Sequence, residues 1–330
     1  MAEVSLRNLS KAFGKTQAVE DITMTIEDGA FVVLLGPTGA GKTTTLRLIS
    51  GLEKLDSGSI HIGGRDVAND TPAQRDVAMV FQQYSLYPHL TVRDNLAFPL
   101  RSPILKTSED AIARKVQTIA DVLQIQHKLD NKATELSGGE MQRVSIGRAL
   151  VRDPQIYLMD EPLSSLDAKL RADLRVELKR IHSDLGSTLL YVTHDQIEAM
   201  TMATHVGVLE EGRLVQYGTP KEIYENPSSV YVASRLGLPR INILPASLFP
   251  GEHRGAQIGL RPENIRQGEG VEATVLRSEH LGDQTRLHLE VEGHPITTLT
   301  DPHQDYAANT TIKISPQSPL YFDASGARVA

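Results

Sequence analysis

Phe31-Val32-Val33-Leu34-Leu35 runs directly into Gly36-Pro37-Thr38-Gly39-Ala40-Gly41-Lys42-Thr43, and the reading of this stretch decides the fold. Five consecutive apolar residues read as a strand buried on both faces, as in a parallel sheet covered by helices. The next eight satisfy G-x-x-x-x-G-K-[ST], and Thr44 to Ser50 continues as a helical run. Each residue type has a reason to be there. Glycines let backbone N–H groups close around phosphate oxygens, and the helix N-terminus adds partial positive charge. Lys42 reaches the β and γ phosphates, and the Thr43 hydroxyl is a ligand suited to Mg²⁺.

Two further apolar runs, Ile156-Tyr157-Leu158-Met159 and Thr188-Leu189-Leu190-Tyr191-Val192, also end in polar chemistry: Asp160-Glu161 and Thr193-His194-Asp195. Strand-like runs alternating with helical patterns predict an α/β domain with a mainly parallel sheet. Ligands in such sheets lie beyond the carboxyl ends of the strands, so these three ends are expected to face one site. There Asp160 suits Mg²⁺, Glu161 suits a general base beside the γ-phosphate, and His194 suits a γ-phosphate contact. Gln82, after Val77-Ala78-Met79-Val80-Phe81, is a fourth polar strand end.

Composition narrows the function classes. With roughly 150 residues to an ordinary domain, 330 residues suggest two. Lys and Arg number 34 against 41 Asp and Glu, a net charge of −7, so no bulk positive field exists to hold nucleic acid. Phosphate must be gripped locally. The absence of cysteine excludes disulfide scaffolds, thiolate metal sites and cysteine nucleophiles. No apolar run approaches the ~20 residues needed to cross a bilayer, and Met1 to Arg7 lacks a secretory pattern. The chain is therefore expected to be cytosolic and not itself membrane-spanning.

A second glycine signal lies at Leu136-Ser137-Gly138-Gly139-Glu140, ahead of the helical run Met141 to Leu150. Ser137-x-x-Glu140 is a capping box. A cap leaves the two glycines unexplained, whereas a serine hydroxyl and bare N–H groups at a helix N-terminus also make an anion site. The two can coexist. Between Leu86 and Leu150 the pattern is helical, with Ser108 as N-cap and Ile112, Val116, Ile119 and Leu123 on one face. Gly218 to Pro250 is proline-rich and reads as a connector. Beyond it the period falls to two in Val271/Ala273/Val275, Leu287/Leu289/Val291 and Ile312/Ile314, with turns at Gly282-Asp283 and Glu292-Gly293, which predicts a small antiparallel barrel or sandwich.

Taken in order, these motifs resemble those of the ATP-hydrolysing subunit of ATP-binding cassette (ABC) transporters. Gly36 to Thr43 resembles the Walker A loop, Gln82 the Q-loop glutamine and Leu136 to Glu140 the signature, with Glu140 in place of the commoner glutamine. Ile156 to Asp160 resembles the Walker B strand, Glu161 the catalytic glutamate, Ser164-Ser165-Leu166-Asp167 the D-loop and His194 the switch histidine. The resemblance implies a P-loop ABC cassette over 1–235, with a helical subdomain at about 86–150. It implies ATP held by Phe13, stacked on adenine, by Gly36, Pro37, Thr38, Gly39, Ala40, Gly41, Lys42, Thr43 and Thr44, and by Gln82. From a second copy, or a homologous cassette, packed head to tail come the residues matching Ser137, Gly138, Gly139 and Asp167. Mg²⁺ falls to Thr43, Gln82 and Asp160, and catalysis to Glu161, His194 and Lys42.

The tail extends the likeness. Gly218-Thr219-Pro220-Lys221-Glu222-Ile223-Tyr224, Leu260-Arg261-Pro262-Glu263-Asn264-Ile265 and Leu281-Gly282-Asp283 resemble the connector and OB-like (TOBE) regulatory domain of maltose-type carbohydrate importers. This implies a small all-β domain over 236–330. The expected activity is ATP hydrolysis driving import of a sugar or sugar derivative, with polyamine, glycerol-phosphate or metal-ion import, a non-transport ABC ATPase or an ATP-binding regulator as alternatives. The expected partners are two membrane-spanning permease subunits and, indirectly, an extracytoplasmic solute-binding protein, at the cytoplasmic face of the plasma membrane.

Overall fold

The protein is described from a computed structural model covering residues 2–102, 105, 107–251 and 254–329. It divides into two compact units, Met1–Pro220 and Lys221–Ala330.

The first unit runs β1 (Val4–Phe13), β2 (Thr16–Ile26), β3 (Phe31–Leu35), α1 (Lys42–Ser50), β4 (Ser57–Ile62), β5 (Arg65–Asp66), β6 (Val77–Val80), α2 (Val92–Ala97), α3 (Glu109–Val122), α4 (Gly138–Leu150), β7 (Ile156–Asp160), α5 (Ala168–Leu185), β8 (Leu189–Thr193), α6 (Gln196–Met202), β9 (His205–Glu210) and β10 (Arg213–Gly218). Strands β2-β1-β4-β5 form an antiparallel sheet, and β10-β9-β3-β8-β7-β6 a second, in which β9 through β6 are parallel and β10 is an antiparallel edge. Every residue of β3, β7 and β8 is buried, as their continuous apolar runs require. One core joins Val4, Leu6 and Ile26 of the first sheet to Leu34, Leu158 and Val192 of the second through Leu46 and Ile49 of α1.

The strand order matters for the site. Because β3, β8, β7 and β6 are consecutive neighbours running the same way, Gly36, His194, Glu161 and Gln82 all follow carboxyl ends on one edge of the sheet. The expected convergence of strand ends is realised.

The three helices α2, α3 and α4 fall within the segment read as helical. Ser108 caps α3 by accepting the Ala111 N–H, and Ile112, Val116 and Leu123 are buried. Gly147 in α4 admits Leu96 and Leu123, whose methyls would stand 2.7 and 3.0 Å from a Cβ there.

The boundary falls at the first residue of α7 (Pro220–Glu225), and the second unit continues through α8 (Val230–Ala233), β11 (Asn242–Pro245), β12 (Gln257–Leu260), β13 (Ile265–His280), β14 (Thr285–Val291), β15 (His294–Thr300), β16 (Thr311–Pro316), β17 (Leu320–Phe322) and β18 (Arg328–Val329). Two antiparallel sheets, β11-β12-β17-β18 and β15-β14-β13-β16, share one core that includes Leu244, Leu260, Val275, Leu287, Leu289 and Ile314. The period-two runs thus become β13, β14 and β16. This unit starts at Lys221, ahead of residue 236, because Arg261 gathers the connector: its guanidinium donates to the carbonyls of Tyr224, Ala233 and Leu236 and stacks on the Tyr224 ring at 3.9 Å.

Candidate functional site: a phosphate loop at four strand ends

The loop between β3 and α1 is shaped by its glycines. Gly39 and Gly41 take φ of 84° and 94°, values that disfavour side chains, and a Cβ on Gly41 would stand 2.4 Å from the Ala18 carbonyl oxygen. A Cβ on Gly36 would stand 2.7 Å from the Leu209 carbonyl oxygen. The loop therefore lies against backbone on two sides. Its concave side opens on a cleft of about 370 Å³ lined by Thr16, Gln17, Ala18, Thr38, Gly39, Gly41, Lys42, Thr43, Thr44, Gln82 and Glu161.

Lys42 is buried, and its ammonium donates to the carbonyls of Gly36 (2.8 Å) and Pro37 (3.0 Å) while standing 3.8 Å from Glu161 Oε1. Burial pushes its pKa below the ordinary value, against the opposing charges of Glu161 and Asp160. At the end of β7, Asp160 accepts a hydrogen bond from the Thr43 hydroxyl at 2.9 Å. Burial raises the Asp160 pKa, with the Thr43 bond acting the other way. Two oxygen groups, one an anion short of solvent, thus stand side by side where α1 begins.

Glu161 joins the remaining strand ends. Its Oε2 accepts from Gln82 Nε2 at 3.4 Å and lies 3.2 Å from His194 Nδ1. Its backbone is left-handed, φ 44°, with its N–H bound to Val192 O at 2.9 Å. Such a conformation in a non-glycine residue stores strain of order 1–3 kcal/mol and is typical of functional turns. The structure therefore brings Lys42, Thr43, Gln82, Asp160, Glu161 and His194 together.

Ser137, Gly138 and Gly139 do not line this cleft. The capping box is present: Ser137 Oγ accepts the Glu140 N–H at 3.4 Å, and Glu140 Oε2 accepts the Ser137 N–H at 2.8 Å. The Ser137 backbone bond, with Lys128 3.1 Å away, holds the Glu140 carboxyl below its ordinary range. Gly139 has a packing reason too, since a Cβ there would stand 2.2 Å from Leu170 Cδ2 on α5. Asp167 is the N-cap of α5, accepting the Leu170 N–H at 3.0 Å. Phe13, half exposed at the tip of the β1–β2 hairpin, leads into Thr16, Gln17 and Ala18 of the cleft wall; Lys11 Nζ stands 5.3 Å from its ring.

The motifs left some supports unread. Tyr191 and Glu198 are buried beneath the His194 turn, with the tyrosine hydroxyl donating to Glu198 Oε2 at 2.9 Å. Burial raises the Glu198 pKa. Asn95 is wholly buried and holds the turn after Gln82, accepting the Tyr87 N–H and donating to the carbonyls of Tyr87, Leu90 and Thr91. A polar residue on an amphipathic helix reads as solvated, and nothing in the local spacing marks Glu198 of α6 or Asn95 of α2 as buried.

Residues 19–164 match the ABC transporter family and residues 258–329 the TOBE domain. Over 352 aligned residues, spanning 100% of both chains, the sequence is 43% identical to the sn-glycerol-3-phosphate import ATP-binding protein UgpC of Ruegeria pomeroyi. The chain belongs to the ATP-binding proteins of ABC transporters. It is also 41% identical over 357 residues to the sulfoquinovosyl glycerol transport ATP-binding protein SmoE of Agrobacterium fabrum, covering 99% of each chain. Among solved structures, a dimeric post-hydrolysis ATP-binding cassette bound to ADP and Pi matches with a TM-score of 0.59 and 29% identity, over 66% of this chain and 98% of that one. This ABC protein is thus an ATP-binding cassette followed by a TOBE domain. Among its described residues no helix is long and apolar enough to cross a membrane.

Proposed function

We propose that the chain hydrolyses ATP at the Lys42 cleft, in a head-to-tail dimer, to drive import of a sugar or sugar derivative through separate membrane subunits. The carrying observation is the convergence on Glu161, with Gln82 at 3.4 Å, His194 at 3.2 Å and Lys42 at 3.8 Å, at the mouth of a phosphate-sized glycine loop. The N–H groups of Gly36 to Thr43 and the Lys42 ammonium bind the phosphates, with Thr44 extending the loop at the start of α1. Glu161 orients a water against the γ-phosphorus and takes its proton, and His194 orients Glu161 and contacts the γ-phosphate. The products are ADP and phosphate.

The Thr43 and Asp160 oxygens, 2.9 Å apart, fit the hard-oxygen preference of Mg²⁺, with Gln82 as a third oxygen donor. A dication there offsets the cost of the buried Asp160 charge and, when bound, neutralises charge on the β and γ phosphates. Ser137, Gly138 and Gly139, with Asp167, complete the site of the opposite copy; in support, they do not line their own chain's cleft. ATP then joins the two copies, and loss of the γ-phosphate releases them. Phe13 supplies the exposed ring for adenine.

A second cleft of about 160 Å³, walled by Phe81, Tyr84 and Ser85 on one side and Ser145 and Arg148 of α4 on the other, adjoins Gln82 to His89 and is where permease subunits dock. The protein so placed is peripheral on the cytoplasmic face, and an extracytoplasmic binding protein chooses the solute. The names of its relatives favour a sugar derivative or glycerol phosphate. The test is to purify the chain with its membrane subunits in proteoliposomes and measure phosphate release with the binding protein, adding sn-glycerol-3-phosphate or a neutral disaccharide. Stimulation by the disaccharide supports the sugar reading, and stimulation by sn-glycerol-3-phosphate replaces it with the glycerol-phosphate alternative. Stimulation by neither overturns the choice of solute, and an ATPase rate that is the same with and without the membrane subunits and binding protein overturns the import assignment.

A further inference from the structure

We infer that Arg171 is a positioning residue for ATP hydrolysis, tying the turn that carries Glu161 to the turn that carries His194. The inference rests on the roles proposed for those two residues. Arg171 is the fourth residue of α5, whose start is fixed by the Asp167 cap. From there its guanidinium reaches three places. Nε donates to Leu163 O at 3.3 Å and Nη2 to Leu166 O at 2.8 Å, while Nη1 stands 3.8 Å from Asp195 Oδ2.

Two of these contacts, Leu163 and Asp195, lie close in sequence to a reacting group. Leu163 is two residues past Glu161, in a turn closed by Ser164, whose N–H and hydroxyl both donate to Glu161 O, at 3.2 and 2.9 Å. This turn opens with the left-handed backbone of Glu161, a conformation that persists where its surroundings hold it. Asp195 follows His194 directly and caps α6 by accepting the Ile197 N–H at 2.7 Å. A shift of either turn moves one end of the 3.2 Å contact between His194 Nδ1 and Glu161 Oε2.

A planar guanidinium with five donors in a fixed fork serves two carbonyls and a carboxylate at once; a lysine ammonium on its flexible stem is a point charge that does not span them. Arg171 does not line the phosphate cleft, so its effect falls on the rate of the chemical step and spares ATP binding. Misplacing a reacting group by about 1 Å costs up to roughly 100-fold in rate.

The experiment compares full-length wild type with Arg171→Met, Arg171→Lys, Asp195→Asn and the double variant Arg171→Met/Asp195→Asn. It measures kcat and KM for Mg²⁺-dependent ATP hydrolysis, affinity for a fluorescent ATP analogue, and melting temperature. Asn at 195 keeps an acceptor for the α6 cap and removes the charge, so this variant carries the test if Arg171→Met does not fold. The expected result is a roughly 10- to 100-fold fall in kcat for Arg171→Met, with KM and analogue affinity within about twofold of wild type and little recovery in Arg171→Lys. The double variant is expected to be no slower than the slower single one, the mark of one shared interaction. Unchanged kcat, losses that multiply, or a rise in KM that follows the melting temperature would each overturn the inference. If Glu161→Gln hydrolyses ATP as wild type does, the proposed function fails first, which separates that failure from this one.

Discussion

His194 Nδ1 lies 3.2 Å from Glu161 Oε2, and Gln82 Nε2 approaches the same oxygen at 3.4 Å, so one carboxylate oxygen is held by two separate strand ends. A water-orienting base needs this geometry before it needs a tuned pKa. Glu161→Gln keeps the shape and removes the proton acceptor. Phosphate release is expected to fall by roughly 10²–10⁴ while ATP binding survives, leaving an ATP-bound dimer on size exclusion. His194→Ala is expected to slow release with the carboxylate still present. Unchanged release by Glu161→Gln would remove that residue from the mechanism.

The raised pKa of Asp160 has a definite consequence for stability. Its ordinary value is 3.8, and burial lifts it in the folded chain. Between the two values the folded protein holds a proton that the unfolded chain has lost, so stability falls as pH rises through that window. Glu198, lifted by burial from 4.5, contributes with the same sign. Above the window the ionised Asp160 is a standing cost, which Asp160→Asn removes. The nucleotide-free Asn variant is expected to melt higher than wild type at pH 7.5 and to match it more closely near pH 4. With Mg²⁺ and ATP the order reverses, because the variant lacks the anion that would hold the metal. Thermal melts across pH, with and without EDTA, check both limbs; a lower melting point for the nucleotide-free variant at pH 7.5 would refute the linkage.

Two glycines of the phosphate loop separate strain from clash. Gly39, φ 84°, has nothing within 4 Å of a built Cβ, whereas at Gly41, φ 94°, a Cβ meets Ala18 O at 2.4 Å. Gly39→Ala carries the left-handed penalty alone, on the order of 1 kcal/mol. Gly41→Ala adds a contact that backbone must move to relieve and is expected to cost about 1–3 kcal/mol more. Urea denaturation of both variants measures the gap. Equal losses would mean that the loop is not packed against Ala18.

Much of this site is legible in the sequence because its chemistry sits at the ends of uniformly apolar strands. Burial on both faces keeps β3, β7 and β8 apolar up to their carboxyl ends, so the break in each run, at Gly36 just past β3 and at Asp160 and Thr193 as the last residues of β7 and β8, marks where the chain reaches the site. What stays hidden is contact between distant segments. The pair Gly138-Gly139 reads as bare backbone for an anion, yet Gly139 also abuts Leu170, 31 positions away in a helix whose facing side local spacing does not reveal. No motif marks Arg171, and its three partners become visible only when the turns after β7 and β8 are brought together. The connector itself is legible from its prolines, but its anchorage is hidden for the same reason, since Arg261 lies beyond β12.

That anchor supplies the last prediction. Arg261 is 3% exposed, donates to the Ala233 carbonyl at 3.0 Å, to that of Tyr224 at 2.9 Å and to that of Leu236, and stacks on the Tyr224 ring. Burial pushes its pKa down, though a guanidinium keeps its charge throughout the working range. Arg261→Met preserves most of the volume but leaves three carbonyls without their charged donor. Hydrogen bonds to charged groups are worth about 1.5–3 kcal/mol each, and their losses overlap, so the second unit is expected to lose on the order of 3 kcal/mol. The loss should be local first. Amides between Tyr224 and Leu236 are expected to exchange with deuterium faster by roughly 10- to 100-fold, while those of β13 to β16, paired within their own sheet, keep their protection. Uniform loss of protection across both segments would instead make Arg261 a support of the two β-sheets themselves. Unchanged exchange would mean that α7 and α8 are held by Ile223, Val232 and Ala233, which are themselves buried, without help from the guanidinium.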